Sequence, residues 1–188
     1  AHCPWMAMNG LFNLAEVWGL RPDGSNPCRH VKKYREEKRQ RFLSAEELAK
    51  LGQAFEEELK ENPESKSAIA AFKLLILTGC RRGEIQTLKW SYVNGSTLTL
   101  PDSKTGPKTI YLGKEAVDVL SEIDRVDGNE YVITGRVEKQ HLTDLEHPWR
   151  RIRARAKLND VRIHDLRHTF ASGALAIGEA LPMIGRLL

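Results

Sequence analysis

Three short stretches of this 188-residue chain combine residue types that can hold an anion and move a proton. The first is Thr78-Gly79-Cys80-Arg81-Arg82-Gly83-Glu84-Ile85. Arg81 follows the end of an apolar helical run, so rigid backbone holds it. A buried Glu84 three residues on can orient its guanidinium through a charge-assisted hydrogen bond. An ordinary structural ion pair explains the same two residues. The second is Ser103-Lys104-Thr105-Gly106 at a hairpin tip. A turn lysine can swing into a site, donate a proton and offset charge, or it can simply be solvated. The third is His164-Asp165-Leu166-Arg167-His168-Thr169-Phe170. At three residues' separation His164 and Arg167 lie about 60° apart around a helix and share a face. Leu166, Phe170 and Ala174 supply the packing face. An imidazole beside a guanidinium suits an anionic, proton-transferring site, and phosphate is its natural guest.

The surrounding elements follow from periodicity and punctuation. Met8, Leu11, Ala15 and Trp18 recur at helical steps in the first twenty residues, and Gly19 closes that helix. Residues 21–42 read as a linker, stiff at Arg21-Pro22-Asp23-Gly24-Ser25-Asn26-Pro27 and basic thereafter. Ser44 and Glu47 form a capping box ahead of a helix with the stripe Leu48, Leu51, Phe55 and Leu59. Asn62-Pro63 ends it. Ser67 to Leu77 is apolar nearly all round and so is expected at the centre. The period then changes. Tyr92-Val93, an Asn94-Gly95 turn and Thr97 to Leu100 predict a hairpin, and Thr109 to Leu112 a third strand after a turn at Gly106-Pro107. Helices are expected again at Lys114 to Ile123, Leu142 to Ala156, Arg162 to Ile177 and after Pro182. The predicted class is α+β, mostly helical, with one small three-stranded antiparallel sheet.

Composition bounds the possibilities. With 41% hydrophobic and 29% charged residues the chain can bury a core. The longest apolar stretch, Ala68 to Leu77, is too short to span a membrane. Three scattered cysteines make neither a disulfide framework nor a zinc cluster, which fits a reducing cytoplasm. The net charge of +4 is modest, but its distribution is uneven. Lys32, Lys33, Arg35, Lys38, Arg39 and Arg41 crowd one zone, and Arg150, Arg151, Arg153 and Arg155 another. Two basic zones are what contact with DNA phosphates requires, and are equally what two solvated faces would show.

In order and spacing, Thr78-Gly-x-Arg81-x-Gly-Glu84, the hairpin Lys104 and His164-x-x-Arg167 resemble the boxes of the tyrosine recombinase, or phage integrase, family. About 60 residues separate the second box from the third. The resemblance covers roughly residues 43–188. Ser25-Asn26-Pro27-Cys28 leading into Arg41-Phe42-Leu43-Ser44 looks like integrases of prophages and genomic islands. The resemblance implies a catalytic domain in which Arg81 and Arg167 clamp the non-bridging oxygens of a scissile phosphate, and losing one such transition-state contact costs ~3 kcal/mol or more. Lys104 would protonate the departing 5′ oxygen, and His164 would exchange a proton with the nucleophile. Glu84 would orient Arg81, with His168 in support. The nucleophile would be a tyrosine forming a 3′-phosphotyrosine bond, with no metal or other cofactor. Double-stranded DNA at attachment sites is the implied partner. A homotetramer of the full-length protein, accessory DNA-bending and excision factors and a cytoplasmic, nucleoid-associated place in a bacterium are implied too.

The same resemblance divides the chain into the last helix of a preceding DNA-binding domain (1–20), a basic linker (21–42) and a catalytic domain lacking its tyrosine segment (43–188). Tyr34, Tyr92, Tyr111 and Tyr131 all precede His164, so none stands where the nucleophile belongs. The expectation is a polypeptide that binds DNA and does not cleave it. Two rivals remain. A DNA-binding protein without chemistry explains the basic zones but not the four site residues together. A zinc metalloprotease would use His164 and His168 at the spacing of His-Glu-x-x-His, though with Asp165 as the base and no evident third ligand.

Overall fold

The fold is described from a computed structural model over residues 4–32, 41–101 and 106–176, with side chains as far as residue 171. The chain divides into two units, residues 1–39 and 40–188.

In the first unit the helical stripe forms α1 (Pro4–Val17). Gly19 ends it at a φ of +69°, a left-handed conformation that costs glycine nothing. Residues 21–32, expected as linker, fold back onto α1. Asn26 is 3% exposed. Its Nδ2 donates to Asn13 Oδ1 (2.6 Å) and Asn9 Oδ1 (3.0 Å), its backbone amide donates to Glu16 Oε1 (2.6 Å), and its Oδ1 accepts the Cys28 amide (2.8 Å). A buried carboxamide with partners on both polar atoms pins a turn; composition reads only the turn. Lys33, Tyr34, Arg35, Lys38 and Arg39 lie outside the described residues.

The second unit opens with α2 (Ala45–Glu61), capped as its sequence predicts: the Glu47 amide donates to Ser44 Oγ (3.2 Å) and the Ser44 amide to Glu47 Oε2 (2.9 Å). Leu51, Ala54 and Phe55 are buried. The last inward position belongs to Glu58 and not to Leu59, which is 39% exposed. After a 3-10 turn comes α3 (Lys66–Thr78), with Ala68, Ile69, Ala71, Phe72, Leu74 and Leu75 buried. It is the central helix, packed against later helices on two sides. Gly79 ends it at a φ of +62°. A short helix that the apolar pattern is too brief to reveal, α4 (Arg82–Gln86), starts immediately after.

The sheet is β1 (Val93–Asn94), β2 (Thr97–Leu100) and β3 (Lys108–Tyr111), antiparallel in that order. Leu98 pairs with Ile110 and Leu100 with Lys108, which turns Leu98, Leu100 and Ile110 into the core. Helix α5 (Lys114–Ser121) follows. Residues 122–145 hold no helix; Lys89 and Tyr131, and Thr134 and His141, tie them down as isolated bridges. Helix α6 (Glu146–Arg155) begins four residues later than its apolar pattern predicts. The cause is Asp144, whose Oδ1 accepts the amides of Glu146 (2.8 Å) and His147 (3.2 Å) and so fixes the helix start. The last described helix is α7 (Ile163–Ala176). The helix expected after Pro182 lies outside the described residues.

Helix α3 packs against α5 and α7, and α2 against α6. Phe72 sits where these meet, its ring 6.3 Å from that of Phe55 and 5.0 Å from that of Trp149. The indole of Trp149 donates to the Val161 carbonyl (3.1 Å) and ties α6 to the loop that launches α7. Helix α7 is also tied to the start of α2: Thr169 Oγ1 accepts the Leu43 amide (3.0 Å) and donates to the Asp165 carbonyl (2.9 Å).

Candidate active site

The end of α3 builds the first part of the site. The left-handed Gly79 turns the chain so that Arg81 becomes the N-cap of α4. Glu84, one turn in, accepts the Arg81 amide through Oε2 (2.8 Å) and its Nη1 through Oε1 (2.9 Å). A third donor is one that its sequence position does not advertise. Lys108, at the mouth of the β2–β3 hairpin, places Nζ 2.9 Å from Glu84 Oε2. Burial alone pushes the Glu84 carboxyl up. The hydrogen bonds from Lys108 and from Arg81 outweigh it, and the carboxyl is held below its usual value. Glu84 is therefore a carboxylate shared between the Arg81 junction and the hairpin.

Helix α7 brings the second part. Arg167 Nη1 donates to the Gly79 carbonyl (2.8 Å), two residues from Arg81. Burial and the nearby Arg81 charge both push the Arg167 guanidinium below its usual value. Two like charges held this close are stabilised by an anion between them. His164 lies one turn before Arg167 on the same face. Its ring meets His168 edge to face at 4.8 Å. Burial, then the His168 and Arg167 charges, lower its pKa, so the ring is a neutral proton acceptor near pH 7. A cleft of about 340 Å³ is lined by His164 and Arg167, among others, together with Cys80 and Leu75. The structure thus gathers Arg81, Glu84, His164, Arg167 and His168 at the junction of α3, α4 and α7. Lys104 lies outside the described residues; Lys108, which anchors its hairpin, reaches Glu84.

The basic residues expected to meet DNA separate into groups. Lys32 and Arg150 are exposed. Arg153 is half-buried, donates to the Val161 carbonyl (3.3 Å) and lines the cleft. Three others are paired with carboxylates within the fold. Arg41 forms a two-pronged pair with Glu47 (2.6 and 2.9 Å) and reaches Asp160 (2.8 Å); it holds the Glu47 carboxyl down to about 2. Arg151 donates through Nε and Nη2 to the fully buried Glu58 (2.9 and 2.6 Å), and Arg155 pairs with Glu61 (2.6 Å). Their charges neutralise carboxylates of α2, across a distance of about 93 residues that no local pattern exposes. Among the described residues no group of three His, Cys, Asp or Glu side chains has the geometry to hold a metal ion, so the pair His164 and His168 has no third ligand there. No helix of the described residues is long and apolar enough to cross a membrane.

The sequence profile of the phage integrase family matches residues 41–184. The shufflon-specific DNA recombinase of Escherichia coli is 27% identical over 177 residues; the match takes in 91% of this chain and 42% of that protein, so the chain spans less than half of its relative. Among solved structures, a lambda integrase dimer bound to a COC′ core site superposes with a TM-score of 0.69 at 21% identity, over 98% of this chain and 69% of that one. The XerH site-specific recombinase bound to difH gives 0.70 at 18% identity, over 97% and 56%. A lambda integrase tetramer bound to a Holliday junction gives 0.69 at 22%, over 98% and 56%. At such identities the likeness to the solved structures is one of fold. With the profile running from four residues before α2 to beyond α7, this chain belongs to the phage integrase family of tyrosine-type site-specific recombinases.

Proposed function

We propose that this chain is the phosphate-activating core of a DNA recombinase that cuts and rejoins strands through a 3′-phosphotyrosine intermediate, integrating or excising a mobile element. Arg81 and Arg167 hold the two non-bridging oxygens of the scissile phosphate. Their worth is greatest in the five-coordinate transition state, where charge on those oxygens is largest. A tyrosine hydroxyl attacks phosphorus; its proton passes to the neutral His164, the P–O5′ bond breaks, and the 5′ oxygen leaves with a proton from Lys104. Religation runs the same steps backwards, the 5′ hydroxyl attacking the phosphotyrosine bond, so no bond energy is lost and no nucleotide cofactor is consumed. Glu84 keeps Arg81 in place, and His168 packs on His164. Lys32 and Arg150, with Lys33, Arg35, Lys38 and Arg39, meet flanking phosphates. Double-stranded DNA is the substrate, and exchange of two duplexes calls for four protomers; DNA-bending factors would assist.

The observation that carries this reading is the seating of Arg167 on the Gly79 carbonyl, two residues from Arg81 and one turn from His164. Within residues 1–188 no tyrosine follows Arg167. The test is to supply a tyrosine-bearing segment after Leu188 and look for a detergent-resistant protein–DNA adduct on duplexes drawn from the element's junctions. The reading expects an adduct that Arg81→Gln and Arg167→Gln each reduce by about a hundredfold or more. Binding without any adduct on a cognate junction would favour a DNA-binding protein without chemistry.

A further inference from the structure

The cleft beside Arg167 has a second cationic wall that the proposed chemistry leaves unused. Arg82, Arg153 and Arg162 line it together with a single carboxylate, Glu146. Arg82 is held on one side by Gln86. Its Nε donates to Gln86 Oε1 (3.0 Å), and Gln86 is itself fixed by donating to the carbonyls of Leu142 (2.9 Å) and Thr143 (2.8 Å). Its Nη1 donates to Glu146 (2.7 Å). Glu146 is half-exposed in the first turn of α6. An exposed pair of this kind is worth little, whereas a guanidinium already oriented for an oxyanion loses little freedom when it changes partner. Arg153 is similarly anchored through the Val161 carbonyl.

We infer that Arg82, Arg153 and Arg162 form a seat for a second DNA backbone phosphate beside the one assigned to Arg81 and Arg167, and that Glu146 is its resident carboxylate, displaced when the phosphate arrives. The inference rests on the proposed reading that the site takes DNA. Three guanidiniums lining one cleft, with one carboxylate paired to Arg82 alongside them, match a phosphodiester in charge and in hydrogen-bonding groups. Such a contact positions the duplex and reads no sequence. Glu146 has a further consequence: the seat's field is partly cancelled until DNA displaces the carboxylate, which weakens capture of stray anions.

The test measures affinity of the 188-residue chain for a short random-sequence duplex over a salt series. Arg153→Gln and Arg162→Gln should each weaken binding and make the slope of log K against log salt shallower, by up to about 0.9 for the one phosphate contact. Glu146→Gln should tighten binding about fivefold at low salt, near the upper worth of an exposed ion pair. Glu56→Gln, which removes an exposed carboxylate from α2, should give less than half that gain, and adding Arg82→Gln to Glu146→Gln should cancel it. Equal gains from Glu146→Gln and Glu56→Gln, or unchanged slopes in both arginine variants, would overturn the seat while leaving DNA binding intact. Absence of salt-dependent duplex binding by the unsubstituted chain would overturn the parent reading and the seat with it. Inorganic phosphate at constant ionic strength should not compete; competition abolished by Arg162→Gln would assign the seat to a free anion and overturn the DNA assignment.

Discussion

Glu84 decides much of the site at the scale of single residues. It is a buried carboxylate with three donors, from two parts of the chain that meet only in the fold. Its depressed pKa lies below the usual 4.5, so its contribution to stability is complete above that value and is lost as pH falls through the folded value. Lys108→Met should therefore lower stability at neutral pH, and narrow the gap in stability between neutral and acid conditions, as read by urea unfolding at each pH. His164 has the same sign, in a higher pH range. Its folded pKa lies below the usual 6.5, so the unfolded chain binds the proton first, and between the two values stability rises with pH. An NMR titration of the ring should give a midpoint below 6.5, and Arg167→Gln should raise it by removing a neighbouring charge. An unchanged midpoint would mean that Arg167 lies too far from the ring to act on it. The meeting of Arg81 with Glu84, and of His164 with Arg167, was legible because three residues of helix bring each pair together. Lys108 was not: 24 residues separate it from Glu84, and its strand position shows only in the hairpin register.

At the scale of elements, α2 and α6 are joined by a buried charge. Glu58 is completely buried, with Arg151 and Ser65 on Oε1. Arg151→Ala leaves that carboxylate with only the longer contact to Arg155 Nη2 (3.5 Å) and should cost up to about 3–5 kcal/mol by denaturant unfolding; Glu58→Gln with Arg151→Gln should recover part of the loss. A loss below about 1 kcal/mol would place Arg151 among surface pairs of little weight. Gly79→Ala forces a left-handed conformation on a residue with a Cβ and should cost roughly 1–2 kcal/mol. It should also weaken the seating of Arg167, whose hydrogen bond is to the Gly79 carbonyl. The long helices and the Asn94-Gly95 hairpin were legible because periodicity and turn chemistry are local. Helix α4 was not, since five residues are too few to show a period. The start of α6 was misplaced because Asp144 outcompetes the apolar pattern.

At the scale of the molecule, a net charge of +4 understates how the cations are used. Arg41, Arg151 and Arg155 are spent on carboxylates within the fold, which the linear clustering of arginines could not reveal. The cations that remain toward the cleft are Arg153, Arg162 and Arg167, with Arg82 held by Glu146. Removing Arg155 should therefore leave the salt dependence of duplex binding nearly unchanged, whereas removing Arg153 should make it shallower; the reverse order would mean that α6 meets DNA with its other face. The claim on which all of this depends is that one phosphodiester lies between Arg81 and Arg167. Side-chain Nε–H resonances of these two arginines, assigned by Arg→Lys substitution, can be followed by NMR as duplex is added. The account predicts that both shift with a single midpoint, and that Arg167→Lys abolishes the response of Arg81. Different midpoints, or a silent Arg81, would contradict it.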